Sequence, residues 1–421
     1  MRRRRRTWFG RHPFSTGTLA VLLAMTPIWW SLGNSLASAN TLPLQIQFVE
    51  WVSSHGGGSF TRWAENVWYS LNPPPTGGRP PKGAIPAPTK KPVPTVASGP
   101  PHLPAPAPIV PIASPPLPGE GQWHPAGRLV DGIPALYEAF LRPDAIHTSL
   151  VTGVVWMDPM LLRMRLYAGA QVPGVGPPLR PVAPISSNAA KTLTAAFNAG
   201  FLMSDAYGGF YLNGQTSIPL RPGGASLVIY SNGTATVGAW GTNVTMTPNV
   251  VAVRQNLSLL VNNGAPVPGL NANDTTQWGA TLGGQVYVWR SGIGVTANGA
   301  LVYVGGPGLN ITSLANLLVR AGCVRAMELD INTDWVNYFT FAPAAGQLAS
   351  PANGSALLGD MVRPVTRYFG PTNRDFFTMS VRNGTLNGVS PSSSPVPSSQ
   401  SGTSSSSGVP TRGSTKPKSK R

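Results

Sequence analysis

Two pairs of β-branched and aromatic runs, residues 226–230 with 234–240 and 292–296 with 300–304, are each joined across an Asn-Gly step, Asn232-Gly233 and Asn298-Gly299. Runs joined this way fold as β-hairpins, because Asn and Gly both tolerate the positive φ of a tight turn. Asn213-Gly214, Asn263-Gly264 and Asn383-Gly384 mark further turns. Helical signal is sparse. It centres on residues 313–321, where Thr312 or Ser313 can cap, Leu314, Leu317 and Leu318 face one way, Arg320 sits in the last turn and Gly322 can stop the helix. An apolar strand over residues 323–331 follows. The pattern predicts an α+β domain, a strand-rich mixed sheet with one or two packed helices.

Composition divides the 421 residues into five parts. Residues 1–39 join a basic start, Arg2–Arg6 and Arg11, to an apolar stretch over 18–32 and small residues at Ala37-Ser38-Ala39, which reads as a signal peptide or a signal anchor. The apolar stretch is short for a membrane span and Pro27 interrupts it. Either way, the rest of the chain is expected to be exported, extracellular or envelope-associated. Residues 40–72 form a short helical segment in which Phe60, Trp63, Ala64, Val67, Trp68 and Leu71 make one apolar stripe. Residues 73–119 hold 18 of the 45 prolines and are expected to act as a semi-rigid spacer. Residues 120–387 are the folded domain, and residues 388–421, with 13 serines, a disordered basic tail.

The formal charge of +17 raises the question of polyanion binding. The two ends and the Pro-rich stretch carry 15 of the 31 basic groups and no acid. Residues 120–387 carry 15 basic and 12 acidic groups, a balance of +3. No nucleic-acid partner is therefore expected for the domain, whereas the tails suit anionic lipid or wall polymer. Cys323 is the only cysteine, so no intrachain disulfide forms and no cysteine zinc site exists. The five histidines share no ligand spacing, and the sequence names no cofactor. Neither a Walker-type phosphate loop nor a Gly-x-Ser-x-Gly elbow occurs.

Three segments place polar residues inside apolar runs. Asn198 ends the run Ala195-Ala196-Phe197, and a buried amide there must bond to backbone or to a ligand. Arg290 precedes Ser291-Gly292-Ile293-Gly294, where its fork suits either a phosphate clamp or a salt bridge to an acid such as Asp330. Glu328 and Asp330 alternate with Met327, Leu329 and Ile331, so strict strand geometry puts both carboxylates on one face. Such a pair fits acid/base work on a sugar, or simply a solvated strand face. The polar loop beyond it carries Asp334 and Trp335, and Asp334 is a further substrate-binding candidate.

Taken in order, these segments resemble the phosphodiester glycosidase domain family. Asn198-Ala199-Gly200-Phe201 is similar to its Asn-Gly-Gly-Phe-Phe strand, and Arg290–Val295 with Asn298-Gly299 to its Arg-Thr-Ala-Ile-Gly strand and hairpin. The helix 313–321 leading into Ala326–Asp330 resembles the approach to Asn-Leu-Asp-Gly-Gly-Gly-Ser, and Arg363-Pro364-Val365 resembles the Arg-x-Val before the last strand. Where the family has three glycines after its Asp, this chain has Ile331-Asn332-Thr333. The resemblance implies an exported hydrolase that cleaves a sugar 1-phosphodiester in an envelope glycan. In it Glu328 and Asp330 are catalytic, Arg290 holds the phosphate, and Asn198 and Asp334 hold the substrate. The alternative it leaves is a glycan- or wall-binding module on the same fold, the membrane being a partner only where the N-terminal segment stays uncleaved.

Overall fold

The computed structural model describes residues 13–37, 47–48, 51–52, 71–87, 99–170, 172–174, 176–274, 277–278, 286–382 and 386–388. Of the expected apolar stripe, residues 60–68 lie outside them and Leu71 is exposed; of the expected tail, residues 389–421 lie outside them and Gly388 ends a strand. The strands form three sheets. Nine strands run in the order Ala265–Pro266, Leu259–Asn262, Cys323–Ile331, Val288–Thr296, Leu301–Leu309, Thr152–Met157, Ile133–Leu141, His124–Val130 and Leu386–Gly388. A five-stranded sheet runs Gly354–Ala356, Tyr338–Phe341, Leu193–Asn198, Phe376–Val381 and Leu162–Tyr167. A second one runs Gln215–Ile218, Phe210–Leu212, Val250–Gln255, Ala225–Tyr230 and Ala235–Ala239.

The class is α+β, as the sequence predicts, but the sheets are less mixed than expected. Every pairing of these strands is antiparallel, and parallel pairing is confined to the bridges Ala168–Val182 and Trp240–Val244. Asn-Gly turns account for four of these pairings, since a turn that tight returns a strand antiparallel to its neighbour. The turns come in two kinds. At Asn213-Gly214 and Asn263-Gly264 both residues have positive φ, the primed turn the dipeptide favours. At Asn232-Gly233 and Asn298-Gly299 only the glycine does, and its N–H closes a turn onto Tyr230 and Thr296 respectively.

A helix, Ile311–Arg320, covers the outer face of the nine-stranded sheet. Its cap is Asn310, not Thr312 or Ser313: the Asn310 side chain accepts from the Ser313 N–H at 2.7 Å while the Ser313 hydroxyl accepts from the Asn310 N–H. An amide reaching forward three residues satisfies the orphan donors better than a residue already inside the first turn. Leu314, Leu317 and Leu318 pack on Val302, Val304, Val154 and Cys323, each large side chain contributing about 2 kcal/mol of burial. The glycines of the 288–296 strand make that approach possible. A Cβ on Gly292 would meet Leu318 at 3.1 Å, and one on Gly294 would meet Cys323 Sγ at 2.5 Å.

The inner face of the same sheet meets the Leu193–Asn198 sheet across an aromatic cluster. Phe197 stacks on Tyr338 with centroids 5.0 Å apart, and Tyr303 lies 5.3 Å from Phe197 and 4.9 Å from Tyr338. This brings the ends of strands Leu193–Asn198, Val288–Thr296 and Cys323–Ile331 to one place, and the candidate site is built there.

The described parts of the Pro-rich stretch, residues 73–87 and 99–119, do not stand clear of the domain as a spacer would. Gly77 N–H bonds to Ile146 O, Leu103 N–H to the Asp158 carboxylate, and Ile109 N–H to Gly121 O. Arg142 holds the strap by donating to Ala113 O and Pro115 O while pairing with Glu120 at 2.8 Å. Proline leaves carbonyls without competing donors nearby, and the buried Arg142 takes up two of the stretch's carbonyls. At the N-terminal end, residues Pro13–Ala37 form a helix with Pro27 inside it. No helix among the described residues is long and apolar enough to cross a membrane.

The turn glycines give a paired test. A Cβ on Gly299 meets nothing, so Gly299→Ala should cost only the left-handed backbone penalty of about 1–2 kcal/mol. Gly233→Ala should cost more, because its Cβ would also lie 2.5 Å from Arg163 Cβ. Urea unfolding of the two variants measures the difference.

Candidate functional site

Asn198 is fully buried and fully bonded. Its Nδ2 donates to Ala199 O and to Ser291 Oγ, both at 2.9 Å, while its Oδ1 accepts from the Tyr303 hydroxyl at 3.0 Å and the Asn337 N–H at 3.1 Å. Ser291 passes the link on by donating to Asp330 O at 2.8 Å. Of the two sequence readings of Asn198, backbone partner or ligand partner, the structure supplies backbone together with side chains. Its role is to fix three strand ends relative to one another.

Arg290 is equally committed. Its Nη1 pairs with Glu328 Oε1 at 2.6 Å, and the remaining donors face Leu309 O, Trp278 O and Val286 O. With 1 % of its surface exposed, the guanidinium has an internal partner in Glu328 where the sequence proposed Asp330 or a phosphate. Glu328 is 0 % exposed, and its Oε2 has no hydrogen-bond partner among the described residues. Burial pushes this carboxyl up to about 7 against the pull of Arg290, and Asp330 adds to the rise.

The expectation that Glu328 and Asp330 share one face fails on the register. Gly292 pairs with Glu328 but Arg290 pairs with Ile331, so two steps on one strand span three on the other. A bulge of this kind breaks the alternation and re-aims the side chain beyond it. Asp330 turns instead to Arg374, whose Nη2 bonds to its Oδ2, and its Oδ1 accepts from the Ile331 N–H at 3.0 Å. Burial pushes Asp330 up to about 6, with Arg374 the main opposing influence.

Arg374 also donates to Gly200 O, so the same guanidinium ties the Asn198–Phe201 segment to the acid. Behind it Arg254 pairs with Asp375 at 2.7 Å and bonds to Phe201 O. Asn256 completes the cradle, accepting from Phe201 N–H and donating to Glu328 O at 3.0 Å and Leu329 O at 3.3 Å.

Beyond Asp330 the loop turns at Asn332, which has φ 83°. The left-handed conformation that a glycine would supply is thus retained here by asparagine, the residue that tolerates it best after glycine. Trp335 follows, faced by three guanidinium groups: Arg374 at 4.6 Å, Arg363 at 4.8 Å and Arg367 at 5.5 Å from the ring centroid. Arg363 and Arg367 both donate to Asp334 O, at 2.6 and 3.1 Å. Burial raises the Asp334 carboxyl, and those two arginines oppose the rise. The Nε atoms of Arg367 and Arg374 are buried without a hydrogen-bond partner among the described residues.

Sequence reasoning missed Arg254, Arg374 and Asp375. Arg254 carried a signal, a lone charge within the apolar strand Val250–Gln255. Arg374-Asp375, just before the strand Phe376–Val381, had the form of an ordinary solvated turn. No group of three or more His, Cys, Asp or Glu that could hold a metal occurs among the described residues.

Four separated segments thus meet around Asp330, in the order that the sequence resemblance requires. Residues 191–330 match the phosphodiester glycosidase family. The matched span opens before the strand carrying Asn198 and ends on Asp330, so it holds Arg290 and Glu328 but not Asp334 or the arginines around Trp335. Solved structures similar to the chain include the catalytic domain of zebrafish N-acetylglucosamine-1-phosphodiester α-N-acetylglucosaminidase, auto-inhibited by its pro-peptide. It is 15 % identical, covering 62 % of this chain and 88 % of that one, with a TM-score of 0.37. A hypothetical protein from Synechocystis is 14 % identical over 60 % of this chain and 63 % of its own, with a TM-score of 0.34. No curated protein matches the chain.

Two outcomes follow from the buried groups. Asn198→Ala should strand the Tyr303 hydroxyl and the Asn337 N–H, lowering stability by about 3 kcal/mol in a denaturant titration. Glu328 and Glu138 both reach about 7 through burial, so each is protonated in the folded state at pH values where the unfolded chain is ionised. Their stabilising contribution is complete below pH 4.5 and lost as pH rises through 7. Glu138→Gln should therefore flatten the fall in the unfolding midpoint between pH 5 and pH 8.

Proposed function

We propose that the protein hydrolyses a sugar 1-phosphodiester, and that it does so outside the cytoplasm on an envelope or exopolysaccharide glycan. The observation that carries this is the convergence of Asn198, Ser291 and Asp330 in one hydrogen-bonded chain, with the Asp330 carboxyl raised to about 6 beside Arg374. The family match over residues 191–330 and the basic, apolar N-terminal segment support it.

In this proposal Asp330 is the carboxyl that works at the anomeric carbon. As the oxygen of water bonds to that carbon, a carboxylate takes up its proton, the bond from the carbon to the phosphate oxygen breaks, and a phosphomonoester leaves. Glu328, with its unbonded Oε2, is the second carboxyl, and Arg290 holds it in position. The phosphate then falls to Arg374 and Arg367, whose Nε atoms are unpartnered. Asp334 orients the arginines through its carbonyl, and Asn198 supports the site from behind.

One observation favours the alternative, a glycan-binding module without turnover: Glu328 is fully buried and Trp335 with its arginines packs beside Asp330. The full chain incubated with the methyl phosphodiester of a hexose 1-phosphate separates the two. Release of reducing sugar supports hydrolysis, and retention without release supports the module. For the hydrolase, kcat/KM should follow a bell with limbs near pH 6 and 7, Asp330 ionised and Glu328 protonated at the maximum. Asp330→Asn should lower kcat about 10²–10⁴-fold. Undiminished turnover in that variant would remove Asp330 from the chemistry.

A further inference from the structure

Two adjoining cavities lie away from the carboxylates. A cavity of about 360 Å³ lies where the edge strand Leu162–Tyr167 meets the sheet that contains Phe210–Leu212, Ala225–Tyr230 and Val250–Gln255. A second of about 480 Å³ adjoins it, sharing Pro181 and Asn213. Both fall in the size range of small-ligand sites.

Their chemistry is one-sided. Every charged residue lining them is an arginine: Arg163 and Arg165 in the first, Arg180 in the second. Arg163 Nε is buried with no hydrogen-bond partner among the described residues, while Arg165 and Arg180 are exposed. A fourth cation stands close by, since Arg382 donates to Asn232 O at 2.6 Å, and burial with Arg163 nearby depresses its pKa. Between the arginines the walls present hydroxyl and amide groups, among them Asn213 and Ser231, both exposed. Tyr167 is buried and stacked on Phe376 at 4.7 Å, so it offers no open ring face for a nucleobase.

We propose that this double cleft binds an acidic oligosaccharide, a chain whose carboxylate or phosphate groups pair with Arg163, Arg165 and Arg180 while its hydroxyls bond to the amides and hydroxyls between them. Extended, repeating anions suit guanidinium groups spaced along an edge strand, where Arg163 and Arg165 alternate with the buried Met164 and Leu166. The cleft shares no lining residue with the Asp330 site, so it stands whether or not that site turns substrate over.

Isothermal titration of the full chain with hexagalacturonate, against neutral cellohexaose of the same length, tests it. The acidic hexamer should bind and the neutral one should not. Arg165→Glu should weaken binding at least tenfold with an unchanged melting temperature, and Arg165→Lys should recover most of the affinity. A variant with Lys416, Lys418, Lys420 and Arg421 all changed to Ala should bind within twofold of the parent. Absence of binding, equal affinity for cellohexaose, or loss of binding in the tail variant but not in Arg165→Glu would overturn the proposal. So would tighter binding of hexathymidylate through the same arginines. Hydrolysis of the hexose phosphodiester, assayed in parallel, should be the same in Arg165→Glu and the parent, which keeps this result separate from the fate of Asp330.

Discussion

The site depends on a buried amide that has no freedom to do anything else. Asn198 uses two donors and its acceptor oxygen on four partners drawn from four parts of the chain: Ala199 beside it, Ser291, Tyr303 and Asn337. In water each of these groups would be satisfied many ways, and inside the fold only one arrangement satisfies them together. The aromatic contact of Tyr303 with Phe197 and Tyr338 supplies the apolar attraction between the two sheets, but it would tolerate small slips. The hydrogen bonds do not tolerate them. Position along the strands is therefore set by polar groups and adhesion between sheets by apolar ones.

Once the strand ends are fixed, the charges fall into place behind them. Three ion pairs, Arg290 with Glu328, Arg374 with Asp330 and Arg254 with Asp375, lie within a short span of buried structure. Such pairs seldom add stability over apolar packing, and each is costly to break from one side. What they do supply is a set of carboxyls held where burial shifts them toward neutrality while a cation stops the shift from running further. Burial raises the two by similar amounts, Asp330 from 3.8 to about 6 and Glu328 from 4.5 to about 7, and each is held from rising further by its own arginine, Arg374 or Arg290.

How much of this the sequence revealed depends on range. The hairpins at Asn232-Gly233 and Asn298-Gly299, the strand Cys323–Ile331 and most of the helix Ile311–Arg320 were legible, because turn chemistry and apolar spacing are local. The segments around Asn198, Arg290 and Asp330 were legible as places where polar residues interrupt apolar runs. Their connections were not. Nothing within residues 323–331 announces a bulge that separates Glu328 from Asp330, since the bulge exists only against the facing strand. Arg374 reaches Asp330 across 44 positions, and no spacing rule spans that distance. The Pro-rich strap misled for a similar reason: proline content sets backbone conformation, while Arg142, which captures two of its carbonyls, lies outside the stretch.

Net charge illustrates the same gap between sum and arrangement. A balance of +3 over residues 120–387 argued against a polyanion surface, and as an average it is correct. Yet the acids are not spread evenly. Glu328, Asp330 and Asp375 are turned inward and neutralised by arginines in the site, and Glu120 is occupied by Arg142. Those pairs remove four arginines along with four acids, so the balance stays the same, yet Arg163, Arg165 and Arg180 face the double cleft with no carboxylate among its lining residues. The field that a ligand meets is set by the local arrangement of charges, and a domain near neutrality can still present a basic groove where its acids lie elsewhere.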